Sequence, residues 1–177
     1  MNPRQRSSTE PFHLPEIATY LPSYDGCYVC GQHHPRGLRA RFFADGEGEV
    51  CAWFLPDPSQ TGYDDVVHGG VISALLDELA GWTVSLKNDL LACTAELTVR
   101  FVSPVLLGRT YLARAHVGTG RGRCWSAEGG LYDEEGKVYA KARGTYFLFS
   151  PEQTSVMARK MRYQTGDAPA FRRWLSA

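Results

Sequence analysis

The chain has no surplus of charge of either sign. Lysine plus arginine and aspartate plus glutamate each number 19 in 177 residues, for a formal net charge of zero. No overall field therefore draws the protein to nucleic acid or to an anionic membrane surface, and neither partner is expected. The N-terminal stretch "MNPRQRSSTEPFHLPEIATY" starts basic but lacks a continuous apolar run, which argues against a signal peptide or a membrane anchor. Cysteines are few and odd in number, five in all. In a chain long enough to fold without crosslinks they read as reduced thiols, so a cytoplasmic location is expected. No internal repeat is visible. Ser73 and Ser126 lie outside Gly-x-Ser-x-Gly turns, so a serine hydrolase is unsupported.

What is present is enough apolar residue, 44% of the chain, to build the core of one ordinary domain. Two strand-like runs, "LRARFF" and "EVCAWFL", flank "ADGEG" and predict a hairpin. A Pro/Gly/Asp-rich loop then delivers the chain to His68-Gly69-Gly70, where a helix opens and runs to about Asn88. Its apolar positions, Val71, Ile72, Leu75, Leu76, Leu79, Trp82 and Leu86, cover more than one stripe, which predicts a helix buried on most sides. Beyond Asp89 the period becomes two: Cys93, Ala95, Leu97, Val99 and Phe101 are expected on one face, Thr94, Glu96, Thr98 and Arg100 on the other. Three more strands follow, "TYLARAHV", "RCWSAEGGLYD" and "KVYAKARGTYFLF", separated by the turns "GTGRG" and "EEG". Ser150, Pro151 and Gln153 form a capping box for a C-terminal helix over "SPEQTSVMARKMRYQ". This order predicts an α+β fold in which an antiparallel sheet covers one central helix. Tyr139, Phe147 and Phe149 are placed on the sheet's second face, which suggests dimerisation through that face.

Two acids, Asp77 and Glu78, interrupt the buried helix. One-turn steps from Asp77 reach only small residues, Ser73, Ala74, Ala80 and Gly81, with Gly70 a turn further back. Close packing of another backbone explains small residues alone. A carboxylate among them favours a site, since burying an unpaired charge costs several kcal/mol. Glu78, about 100° round the axis, is expected to pair with an arginine at a rim. The helix start supplies unpaired N–H groups that favour negative charge, and Gly69 and Gly70 allow close approach. A carbonyl oxygen there gains roughly 3 to 4 kcal/mol per donor as it becomes an oxyanion. One carboxylate and one oxyanion site suffice for a thioester, because a thiol of pKa about 8.5 departs without a strong general acid.

These residues resemble a known family. "HGG" followed by an acid nine residues beyond the histidine, "CTAELTVRFVSPVLLG" after the helix and "CYVCGQHHPRGL" before the first hairpin are similar to the PaaI-like acyl-CoA thioesterases of the hotdog fold. The resemblance spans roughly Cys27 to Phe149. It implies a hotdog sheet wrapped around the helix, in homodimers or homotetramers with active sites at the subunit interface. It implies Asp77 as general base or nucleophile, Gly70 as oxyanion donor, His68 and Gly69 as shapers of that turn, and Thr94 as a hydroxyl brought by the second subunit. Gly69, Ser73 and Gly81 are the expected substrate-binding positions. The domain expectation is an extended leader over 1–26, a hotdog domain over 27–150 and a helical extension over 151–177.

The expected function is hydrolysis of an acyl-CoA thioester, with acyl or acyl-CoA binding without catalysis on the same fold as the alternative. No cofactor is expected. Cys27-x-x-Cys30 with His33 and His34 has the residue types for zinc, but only one such pair occurs, and a packed knuckle beside the helix is the preferred explanation. A structural zinc-bearing interaction module is the third and weakest reading. Asp64 and Asp65, just before the helix, depart from the small or apolar residues of the family. Arg109, Arg114, Arg121 and Arg123 read as solvated strand positions rather than phosphate ligands.

Overall fold

A computed structural model describes residues 13–175; residues 1–12 of the expected leader lie outside them. Seven antiparallel strands form one sheet: β1 (Thr19–Tyr20), β2 (Phe42–Ala44), β3 (Glu49–Phe54), β4 (Ala92–Phe101), β5 (Tyr111–Arg121), β6 (Cys124–Tyr132) and β7 (Val138–Leu148). Their spatial order is β1-β2-β3-β5-β6-β7-β4, so the strand that follows the helix lies at the far edge. The helix itself, α1 (Gly69–Asn88), packs against β3, β4, β5, β6 and β7. Only a sheet curved around the helix can reach it from five strands, which is the α+β arrangement expected.

The breadth of the apolar surface explains this seat. Ile72, Leu75, Leu76, Leu79, Trp82 and Val84 are all buried, and at 25 cal/mol per Å2 each large side chain contributes roughly 1.5 to 3 kcal/mol. At the C-terminal end Asp89 adopts a left-handed conformation, φ 48°, stopping the helix in the position usually given to glycine. Trp174 donates its indole N–H to the Asp89 carbonyl at 2.8 Å, and Arg173 pairs with the Asp89 carboxylate.

Several expected boundaries shift. Only Phe42 and Phe43 of "LRARFF" enter a strand, and β5 runs through the first glycines of "GTGRG", leaving Gly122, φ 59°, at the turn. Residues on the leader side of the expected boundary at 26 join the rest of the fold: β1 pairs with β2, Leu21 is buried in the core, and Ser23–Tyr24 pairs with Met161–Arg162. That second pairing shortens the terminal helix, α2, to Pro151–Ala158. Its capping box forms as read, Gln153 N–H to Ser150 Oγ and Ser150 N–H to Gln153 Oε1. The segment after it returns to the core, where Phe171 packs on Trp82 with ring centroids 5.9 Å apart.

The largest correction concerns alternation in β4. Thr145 pairs with Glu96 but Tyr146 pairs with Thr94, so Ala95 is an extra residue. Such a bulge reverses the side-chain phase on one side of it. Leu97 and Val99 pack on the core as expected, while before the bulge Ala92 and Thr94 take the helix side and Cys93 faces out. A similar register shift at the start of β7, between Val138 and Ala140, buries Tyr139 edge-on against Tyr111 at 4.9 Å rather than on the outer face. Phe147 remains on that face, exposed.

Candidate active site

Asp77 stands mid-way along α1, on the side that meets β4 and β7. Because of the Ala95 bulge, the Thr94 hydroxyl points inward and donates to Asp77 Oδ1 at 2.8 Å. From the paired strand, Tyr146 reaches the same oxygen and the Asp77 carbonyl, both at 3.3 Å. Burial, and then the negative charge of Asp77, push the Tyr146 phenol well above the usual tyrosine range, so it stays a donor. Asp77 has no cation partner, and its Oδ2 accepts no hydrogen bond, among the described residues. The carboxylate lines a cleft of about 210 Å3 whose wall includes Gly81, Trp82, Tyr146 and Phe149. Phe149 thus faces the cleft instead of the outer sheet. Gly81 leaves this part of the wall bare, although a Cβ there would make only an ordinary contact, 3.6 Å, with the Tyr146 ring.

The helix start lies elsewhere. His68 is the N-cap, and its Nδ1 accepts the Gly70 N–H at 2.9 Å. A Cβ on Gly70 would stand 2.9 Å from that nitrogen, so glycine is what allows the ring to fold over the first turn. The expected oxyanion donor thus already has an acceptor. Seven residues separate Gly70 from Asp77, about 10 Å along the axis at 1.5 Å per residue, and none of His68, Gly69, Gly70 and Ser73 lines the Asp77 cleft. Gly69 lies under the Phe101 ring, and the Ser73 hydroxyl donates back to the Gly69 carbonyl at 2.9 Å. Within one chain the candidate residues therefore fall into two separate groups. The first contains Asp77, Thr94, Tyr146 and Gly81; the second contains the His68–Gly70 turn and Ser73.

Glu78 departs from its expected arginine. It has no ion pair among the described residues; instead its Oε1 lies 3.4 Å from Cys27 Sγ, and both residues line the Asp77 cleft. Burial raises its carboxyl to about 7. A hydrogen bond from Cys30 holds Cys27 down at about 5, and the same contact with burial pushes Cys30 up. His33 and His34 are not part of this group. The His34 ring accepts from the Arg36 N–H at 3.3 Å and stands edge-on to Tyr28. Arg114 is no strand-end cation, because it is paired with Glu49 across β5 and β3.

Tyr146 and the Glu78–cysteine contact were not singled out from sequence. The signal for Tyr146 was available: Ala140, Ala142, Gly144, Tyr146 and Leu148 alternate with polar or exposed residues along β7 and are buried on the helix side. An ionisable group on that row had to face α1.

Comparisons with known proteins agree with the fold. Residues 64–140 match the family described as the Thioesterase superfamily. The chain carries a hotdog domain, part of which is similar to the thioesterase superfamily. That domain is the sheet and helix described above, and it resembles several solved structures. A thioesterase superfamily protein, RHA08564, superposes with a TM-score of 0.64 at 22% identity, over 70% of this chain and 60% of that one. The chain thus spans less than two thirds of that relative. The Escherichia coli PaaI protein, from the phenylacetic acid degradation operon, superposes with a TM-score of 0.59 at 19% identity, over 64% and 81%. BH2602 from Bacillus halodurans, solved with CoA, gives 0.52 at 27% identity, over 61% and 71%. No protein with a curated function matches the sequence. Among the described residues no helix is long and apolar enough to cross a membrane.

Proposed function

We propose that the hotdog domain hydrolyses an acyl-CoA thioester to the free acid and CoA, with Asp77 as the general base. The observation that carries this reading is the Asp77 carboxylate, fixed through Oδ1 by two hydroxyl donors and left without a cation at the wall of a cleft. A base held in this way keeps its second oxygen for a water molecule. The water loses a proton to Oδ2 as its oxygen adds to the thioester carbon. The tetrahedral intermediate then collapses with departure of the thiolate, whose low basicity removes the need for a strong acid. A cleft of about 210 Å3 is below the roughly 300 Å3 of a site that encloses a drug-sized ligand, which suits an acyl group with the nucleotide outside. The CoA in the BH2602 structure supports the carrier.

The oxyanion donor is assigned to the Gly69–Gly70 turn of a second copy of the chain, with the substrate oxygen taking the Gly70 N–H from His68 Nδ1. Within one chain that turn is about 10 Å along the helix from Asp77, too far for both to touch one carbonyl. Active sites would then lie at the interface of a homodimer or homotetramer.

Release of free thiol from a panel of short, long and aromatic acyl-CoAs tests the reading. Turnover by the wild type is expected on at least part of the panel, and Asp77→Asn is expected to lower kcat at least about a hundredfold while leaving the fold intact. Binding without turnover across the panel would replace the enzyme by an acyl-CoA binding protein. Undiminished turnover by Asp77→Asn would move the chemistry away from this cleft.

A further inference from the structure

The segment Cys27–Gly31 wraps its backbone around its own sulfurs. Val29 and Cys30 direct their N–H groups at Cys27 Sγ, at 3.3 and 3.5 Å, and Tyr24 directs its N–H at Cys30 Sγ at 3.3 Å. Three peptide dipoles thus point at two sulfurs, an arrangement that favours negative charge on them. The chain closes this turn by bringing Gly31 against Cys27. A Cβ on Gly31 would stand 2.4 Å from the Cys27 carbonyl oxygen, so no other residue fits without moving the knuckle. The turn is built around the sulfurs and not merely packed on the helix.

The third group comes from α1. Cys27 Sγ, Cys30 Sγ and a carboxylate oxygen of Glu78 all lie within 4.8 Å of one another. In a tetrahedral zinc site with Zn–S about 2.3 Å and Zn–O about 2.0 to 2.2 Å, a sulfur and an oxygen ligand stand roughly 3.5 Å apart; Cys27 Sγ and Glu78 Oε1 are 3.4 Å apart. Glu78 has no positive side chain beside it among the described residues. An acid set among thiols in this way calls for a cation. A second cluster, Asp45, Glu49 and Cys51, does not compete, because Asp45 Oδ1 accepts the Glu47 and Glu49 N–H groups and Glu49 pairs with Arg114.

We propose that Cys27, Cys30 and Glu78 bind one zinc ion per chain, with the fourth coordination position open to the Asp77 cleft. Two thiolates and one carboxylate select zinc over calcium and magnesium, which favour all-oxygen shells. Each thiol gives up its proton when the ion binds. The open position follows from the site's place in the wall, since Cys27 and Glu78 line the same cleft as Asp77. Water fills that position at rest, and a thiol sulfur entering the cleft can replace it. The thiol step rests on the proposed thioester hydrolysis, whereas zinc binding is read without turnover and stands or falls by itself.

Cobalt(II) added to the reduced, metal-stripped full chain reports both parts. One equivalent is expected to give intense sulfur-to-cobalt charge-transfer absorption in the near ultraviolet and the visible bands of tetrahedral coordination, displaced by one equivalent of zinc. Cys27→Ser, Cys30→Ser and Glu78→Gln are each expected to weaken binding at least about a hundredfold, the upper range seen for groups that only support a ligand, while Cys124→Ser leaves it unchanged. If the serine variants fail to fold, the wild-type charge-transfer intensity still counts the thiolates and Glu78→Gln tests the acid. N-acetylcysteamine, the thiol end of CoA, is expected to increase that intensity. Absence of stoichiometric metal in the reduced chain, or binding unaltered by the three substitutions, would overturn the site. A cobalt spectrum unmoved by the thiol would overturn the open position.

Discussion

Thr94 and Tyr146 grip Asp77 by one oxygen, and the difference between their distances sets what each contributes. The bond from Thr94, at 2.8 Å, has ordinary hydroxyl length but ends on a carboxylate, and a hydrogen bond to a charged group is worth about 1.5 to 3 kcal/mol. Thr94→Val, of nearly the same shape, is therefore expected to lower kcat by about 10- to 100-fold with KM little changed, checked by steady-state thiol release. Tyr146, at 3.3 Å, contributes less to the carboxylate and more to packing. Tyr146→Phe keeps the ring and is expected to lower kcat less than Thr94→Val does. The reverse order would mean that Tyr146, and not Thr94, aims the carboxylate.

The helix and its neighbouring turns show which elements could be read in advance and which could not. The breadth of the apolar surface from Val71 to Leu86 announced a buried helix, and Leu75, Leu76 and Leu79 are buried as that breadth implied. Leu79→Ala is accordingly expected to cost about 2 to 5 kcal/mol, measured by chemical denaturation. The small residues around Asp77 suggested a site, but of Gly70, Ser73, Ala74, Ala80 and Gly81 only Gly81 lines the cleft. What periodicity could not show is the bulge at Ala95, because one extra residue leaves the composition of a strand unchanged while reversing half of its side chains. Strict alternation therefore puts Thr94 on the outer face, whereas the bulge turns it inward to Asp77. Nor could spacing show that Glu78 meets Cys27, since 51 residues separate them and only the fold joins them. The knuckle offers an elemental test of its own. Gly31→Ala must push the chain off the Cys27 carbonyl and is expected to cost about 1 to 3 kcal/mol, seen as an earlier denaturation midpoint in the wild-type background.

At the scale of the whole molecule, the sheet ends on β4, and this edge strand is ten residues long. Strands of that length left unpaired at an edge invite a second chain. Near its end Phe101 is 52% exposed and Val102 51% exposed, and the Phe101 ring lies directly over Gly69. The edge that would receive a partner is therefore beside the helix start, the group that lies too far from Asp77 within one chain. Edge-to-edge pairing about a two-fold axis is self-complementary, and it would set each His68–Gly70 turn against the other copy. Sedimentation of the wild type is expected to give twice or four times the 19.7 kDa of one chain. Phe101→Glu, which places a charge on that edge while leaving the enclosed core alone, is expected to shift the protein toward the single-chain mass and to lower thioester turnover in proportion. A Phe101→Glu protein that sediments as one chain but turns over at the wild-type rate would show that a single copy holds a complete site. The oxyanion donor would then have to be sought around the Asp77 cleft itself.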